Sequence, residues 1–144
     1  METKKYTVNS EQESRQLARE FASKLKSGDV LTFSGDLGAG KSFFCREIIK
    51  HLCGEQTSVI SPTFNLLQTY EYQGCTIYHF DLYRLESQGE IYELGIEEAL
   101  SGNICLIEWP EIIASLLPKD AIHITIETIC NNKRQILVKT HAKN

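Results

Sequence analysis

No stretch of the 144-residue chain approaches the roughly 18 unbroken apolar residues that a membrane span needs. The opening Met1-Glu2-Thr3-Lys4-Lys5-Tyr6 has no apolar run of the kind a secretion signal carries. No C-x-x-C pair occurs. The five cysteines, Cys45, Cys53, Cys75, Cys105 and Cys130, are odd in number and widely spaced. That pattern speaks against a disulfide framework or a zinc site and for reduced thiols in a cytosolic protein. Extremes of composition are missing too: 42% of residues are hydrophobic and 24% charged, which excludes disordered and collagen-like classes. A chain of this size is expected to form one domain, residues 1–144, with a core that needs no metal or disulfide staple.

Bases are nearly absent from the middle. Between His51 and Pro118 ten acids face a single base, Arg84, whereas the rest of the chain holds 14 bases and 9 acids. A phosphodiester backbone is gripped chiefly by Lys and Arg. The middle is therefore a poor surface for DNA or RNA, and reads as a solvated acidic face or one aimed at a basic protein partner.

The residue pattern alternates strands and helices without a linker or an internal repeat. A short first strand ends near Thr7–Asn9, and Ser10 with Glu13 forms a capping box for a helix carrying Leu17, Ala18, Phe21 and Leu25. Val30–Phe33 is a buried strand, a Gly-rich turn follows, and a second helix runs from Lys41 to Leu52. Val59–Ile60 reads as a short strand stopped by Ser61-Pro62. Leu66–Tyr72 and Thr76–Phe80 form a hairpin about Gln73-Gly74. A helix is expected over Glu90–Leu100, a strand over Ile104–Ile107, and a short helix over Glu111–Leu117. A closing hairpin joins Ile122–Thr128 to Gln135–Lys139. The expected fold is an α/β sandwich with a mixed, largely parallel central sheet and antiparallel edge hairpins.

Residues 35–42 read Gly35-Asp36-Leu37-Gly38-Ala39-Gly40-Lys41-Ser42, which fits G-x-x-x-x-G-K-[ST]. Glycines let the backbone curl around an anion and aim N–H groups inward. The helix that follows points its positive dipole end at the same place. Lys41 supplies a point charge for β- and γ-phosphates, and the Ser42 hydroxyl is a hard ligand for Mg²⁺. The four fixed positions would coincide by chance in about one in 200 chains of this composition. With a buried strand before it and a helix after it, the match is read as a nucleotide cradle formed by Asp36 to Phe43.

Triphosphate chemistry also needs a carboxylate at the end of a neighbouring strand and a group that orients water. Asp81 and Glu108 both close predicted strands, where open α/β sheets bind ligands. Spacing does not say which meets metal and which meets water. His79 reads either as a phosphate sensor or as a structural strand residue. Arg84 has the choice of phosphate charge or an acid such as Glu93, and Trp109 is core filler or an aromatic wall of the site. The guanine-reading Asn-Lys-x-Asp sequence is missing, which favours ATP over GTP. So are the several lid arginines of small-molecule P-loop kinases, which leaves a protein partner as the expected recipient of hydrolysis.

Further segments join the cradle: Ser61-Pro62-Thr63-Phe64, His79-Phe80-Asp81-Leu82-Tyr83-Arg84, Glu93-Leu94-Gly95 with Glu98, and Glu108-Trp109-Pro110-Glu111. In this combination the chain resembles the TsaE (YjeE) family along almost its whole length. The resemblance implies a P-loop ATPase of tRNA threonylcarbamoyladenosine biosynthesis, using ATP and Mg²⁺, acting on the complex of TsaB and TsaD and meeting tRNA only through it. It also implies that Lys41 and Ser42 bind phosphate and Mg²⁺, that Asp81 and Glu108 support metal and water, that Thr63 senses the γ-phosphate, and that Trp109 lies beside the nucleotide. Two departures are Ser42 where many relatives carry Thr, and the bulkier Phe43-Phe44 after it. The rival readings are a small-metabolite kinase and a nucleotide-gated adaptor that does not hydrolyse.

Overall fold

The computed structural model describes residues 2–141. In chain order they form β1 (Glu2–Val8), α1 (Glu11–Ser23), β2 (Val30–Ser34), α2 (Lys41–Cys53), β3 (Leu67–Tyr72), β4 (Cys75–Asp81), α3 (Gln88–Glu93), α4 (Ile96–Ala99) and β5 (Ile104–Glu108). A 3-10 segment (Pro110–Leu116) follows, then β6 (Ile122–Cys130) and β7 (Lys133–Thr140). The strands lie in one sheet in the order β1-β7-β6-β2-β5-β4-β3. The four in the centre run parallel, and antiparallel pairs close both edges. This is the mixed sheet expected from the residue pattern.

Alternation along the central strands builds two cores. On β5, Ile104 and Leu106 join Leu31, Phe33, Ile77, Ile124 and Ile126 beneath α1 and α2, whose Leu17, Ala18, Phe44 and Ile48 close that face. The intervening Cys105 and Ile107 face the other way, against Ile91, Ile96, Ala99 and Ile113 from α3, α4 and the 3-10 segment. Both faces of β5 are thus covered, which explains its unbroken apolar run. Each fully buried Ile, Leu or Phe here removes enough surface from water to be worth about 1.5–3 kcal/mol.

Local chemistry sets the element ends. Ser10 Oγ accepts from the Glu13 backbone N–H at 3.1 Å, and Glu13 reaches back to the Asn9 N–H at 2.9 Å. Two N–H groups without helical partners are satisfied this way. Gln73 (φ 44°) and Gly74 (φ 84°) both take the left-handed conformation, the turn that matches the twist of the β3–β4 hairpin.

Three expectations are corrected. Val59–Ile60 is not a strand. The sheet ends at β3, and the Ile60 N–H meets the Tyr70 hydroxyl at 3.2 Å rather than a ladder partner. Pro62, with no N–H to give, follows two residues later. The helix expected over Glu90–Leu100 is two short helices, because Gly95 takes φ 85° and ends α3 while opening α4. The expected helix at Glu111–Leu117 is the tighter 3-10 segment starting at Pro110.

Candidate functional site

Parallel register brings the site together. Asp81 pairs with Glu108 across β4 and β5, and Phe33 on β2 pairs with Glu108 on its other side. The carboxyl ends of three strands therefore meet where the 35–42 loop leaves β2. The loop turns through left-handed glycines at Gly38 (φ 81°) and Gly40 (φ 112°), and nothing lies within 4 Å of where a Cβ on either would point. Both conformations favour glycine, and both residues line the cleft that the loop borders.

Gly35 has a different task. Its φ of 143° suits glycine, and a Cβ there would collide with the Ile126 carbonyl oxygen on β6. Gly35→Ala is expected to destabilise the fold by about 2–4 kcal/mol, through overpacking plus backbone strain, read as a lower urea midpoint. A midpoint equal to that of the native chain would show that β6 yields freely at this contact.

Lys41, 4% exposed, donates from Nζ to the Gly35 carbonyl at 2.6 Å and the Asp36 carbonyl at 2.8 Å. Its ammonium also stands 4.2 Å from the centre of the Trp109 ring. Burial holds the Lys41 pKa below its ordinary value, against the opposing pull of Glu108 and Asp81. Ser42 Oγ donates to Glu108 Oε1 at 2.8 Å. Asp81 accepts from the Tyr83 backbone N–H at 3.1 Å and from Thr63 Oγ1 at 3.4 Å, and Thr63 in turn sits 2.7 Å from Ser61 Oγ. Burial raises the Asp81 carboxyl above the usual carboxylate range.

Lys41, Ser42, Thr63, Asp81 and Glu108 line one cleft of about 270 Å³ with Leu37, Gly38, Gly40, Phe43, Tyr83 and Trp109. A hydroxyl and two carboxylates are hard oxygen donors, the set that suits Mg²⁺ rather than a soft metal. Asp36 and Ala39 lie outside the cleft lining. Asp36 contributes its carbonyl to Lys41.

The undecided residues fall into place. Trp109 is a wall of the cleft, held at φ 57° with its ring 4.8 Å from that of Tyr83. Arg84 lies over the Phe64 ring at 4.7 Å, and no ion pair with Glu93 is formed among the described residues. His79 is buried and meets Glu108, not the cleft.

Sequence reasoning missed Arg134. Its Nε donates to the Ala39 carbonyl at 3.2 Å while Nη1 holds the carbonyls of Cys130 and Asn131. It thereby ties the β6–β7 turn to the cradle, beside a second cavity of about 220 Å³ lined by Ala39, Gly40, Phe43, Asn131 and Asn132. The signal lay in topology: β6 is the parallel neighbour of β2, so the turn after it must arrive next to the loop after β2.

Comparison with known proteins shows the family and the fold. The family model "Threonylcarbamoyl adenosine biosynthesis protein TsaE" matches residues 8–136. The chain belongs to the TsaE family. It is 59% identical over 138 residues to a tRNA threonylcarbamoyladenosine biosynthesis protein TsaE from Rickettsia conorii, covering 96% of this chain and 79% of that one. A TsaE from Bacillus subtilis is 39% identical over 131 residues, covering 90% and 80%. The crystal structure of Bacillus subtilis YdiB superimposes with a TM-score of 0.81 at 29% identity, covering 98% of this chain and 87% of that one. The family model thus takes in the cradle, both strand-end acids and Arg134. No helix among the described residues of this TsaE chain is long and apolar enough to cross a membrane.

Proposed function

We propose that this chain is a Mg²⁺-dependent ATPase of tRNA threonylcarbamoyladenosine biosynthesis, working in the cytosol on a TsaB–TsaD complex to support its turnover. The observation that carries the reading is the Ser42–Glu108 hydrogen bond beside a Lys41-bearing cradle. It sets a hydroxyl and a carboxylate side by side, two hard oxygen donors that would hold a divalent cation. Mg²⁺, when bound, would offset charge on the β- and γ-phosphate oxygens.

The remaining work falls to the chain. Gly38 and Gly40 offer backbone N–H groups to the phosphates. The phosphates compete with two loop carbonyls for the Lys41 ammonium, drawing it into the cleft. Ser42 and Glu108 would hold the cation. Asp81, next to Thr63 and raised in pKa by burial, orients the attacking water and takes its proton. The nucleobase end extends toward the cavity under Phe43 and Arg134.

Hydrolysis by the chain alone is slow on this reading. Arg84 lies on Phe64, and Arg134 spends its donors on carbonyls, so neither guanidinium faces the charge that develops on the transferred phosphoryl group. Phosphate release should be weak for the isolated chain and rise at least about tenfold when TsaB and TsaD are added, a small part of what a supplied cation achieves elsewhere. ATP binding without release in either sample would select the adaptor reading. A phosphorylated small product would select the kinase.

A further inference from the structure

His79 is a buried polar side chain that the mechanism leaves unused. It stands on β4 two residues before Asp81, on the same sheet face, and is 1% exposed. Its Nε2 lies 2.7 Å from Glu108 Oε2, while Ser42 Oγ holds the other oxygen, Oε1. One carboxylate is therefore divided between a buried ring on one side and the cradle hydroxyl on the other. The second ring nitrogen, Nδ1, is buried and has no hydrogen-bond partner among the described residues. A hydrogen on Nδ1 would be an orphaned donor, whereas a hydrogen on Nε2 has an anionic acceptor waiting. Nε2 accordingly donates to Oε2.

A contribution to folding does not account for this pair. β4 and β5 are already joined by a parallel ladder through Phe80–Ile107 and Asp81–Glu108, with apolar neighbours on both sides. Taking an imidazole and a carboxylate out of water costs free energy that two apolar side chains of similar size would not. Cys45 Sγ lies within 4.8 Å of the ligand atoms of His79 and Glu108. Burial pushes the Cys45 thiol well above its ordinary pKa, so it remains an S–H and adds no third anion.

We propose that His79 is a positioning residue: by holding Glu108 Oε2 it fixes the carboxylate's rotation and presents Oε1 to Ser42 and to the divalent cation bound with nucleotide. Without it, Glu108 is free to turn about its side-chain torsions, and the cation loses a ready-placed ligand. This rests on the metal–nucleotide reading of the cleft.

The test uses Mn²⁺ as the divalent probe and ADP as the nucleotide. Free Mn²⁺ is followed by electron paramagnetic resonance for the native chain and for His79→Leu, His79→Gln and His79→Asn. Gln carries an N–H at a reach close to that of Nε2, and Asn is too short. Leu and Asn are expected to weaken Mn²⁺ binding in the presence of ADP about tenfold or more, the scale seen when a ligand's supporting partner is removed. Gln is expected to recover most of the loss. ADP affinity in EDTA should stay within about twofold for all four, because His79 does not line the cleft. Should the Leu variant not fold, the Gln and Asn pair decides alone. Mn²⁺ affinity of Leu or Asn equal to that of the native chain, or Gln as weak as Asn, overturns the positioning role and leaves the cleft reading standing. A native chain that takes up no Mn²⁺ with ADP overturns both.

Discussion

Mg-ATP is expected to bind a Lys41→Ala variant at least about 100-fold more weakly than the native chain. Two charge-assisted hydrogen bonds to phosphate, each worth about 1.5–3 kcal/mol, are lost together, and every 1.4 kcal/mol is about tenfold. Two further effects point the same way. Lys41 is the cation that faces Asp81 and Glu108, so its removal leaves two carboxylates bare opposite an anionic ligand. The cleft lined by Gly38 and Gly40 also loses its charged side. Lys41→Arg is not expected to rescue binding, because a planar guanidinium does not fit between two carbonyls and the Trp109 ring. Calorimetry checks both variants. Heat with Mg-ATP that matches the native chain would falsify the nucleotide reading at its root. Folding should suffer less, since the buried ammonium already bears a desolvation cost.

Asp81→Asn is expected to separate stability from activity. Phosphate release should fall by about 10²–10⁴-fold, the range for losing a general base, with nucleotide affinity retained. Stability should rise. Burial raises the Asp81 pKa in the folded chain, so its favourable contribution is complete below the unfolded pKa and is lost as pH rises through the folded one. At neutral pH the ionised carboxylate is held in the fold at a cost, and the amide removes that cost while still accepting from the Tyr83 N–H. A melting temperature about 2–4 °C higher at pH 7, narrowing toward about pH 4, is the expected signature. Equal hydrolysis by native and variant chains would remove Asp81 from the chemistry. A lower melting temperature at pH 7 would show that the hydrogen bond from Thr63 outweighs desolvation.

Such a pairing of stability cost with function explains which parts of the molecule were legible in the residues. The strands and helices that fill the cores follow from apolar periodicity. The cradle follows from eight consecutive residues whose backbone requirements are local, and the two acids were found because each closes an apolar run. What escaped was decided by distance in the chain. Arg134 lies far from the cradle in sequence and reaches it only because β6 settles beside β2. The partnership of His79 with Glu108 depends on the β4–β5 register, which no short window contains. Neither acid's role was separable by spacing. On the proposed reading it is their hydrogen-bond partners, Ser42 for Glu108 and Thr63 for Asp81, that divide the two roles. The break at Gly95 was, by contrast, visible in the residues and was outweighed by the apolar spacing on either side of it.

The edge strand β1 pairs along its length with β7, from Glu2–Thr140 to Val8–Arg134, and with no other strand. Of the seven strands, the first to leave the ribosome is thus matched to the last. Its exposed backbone groups stay unclaimed until nearly the whole described sequence has been synthesised, so completion is a late, long-range event with a correspondingly slow rate. A nascent chain halted before Lys133 would lack both the mate for β1 and the arginine that holds the Ala39 carbonyl of the 35–42 loop. Closing of the sheet edge and tethering of the 35–42 loop to Arg134 therefore fall in the same step.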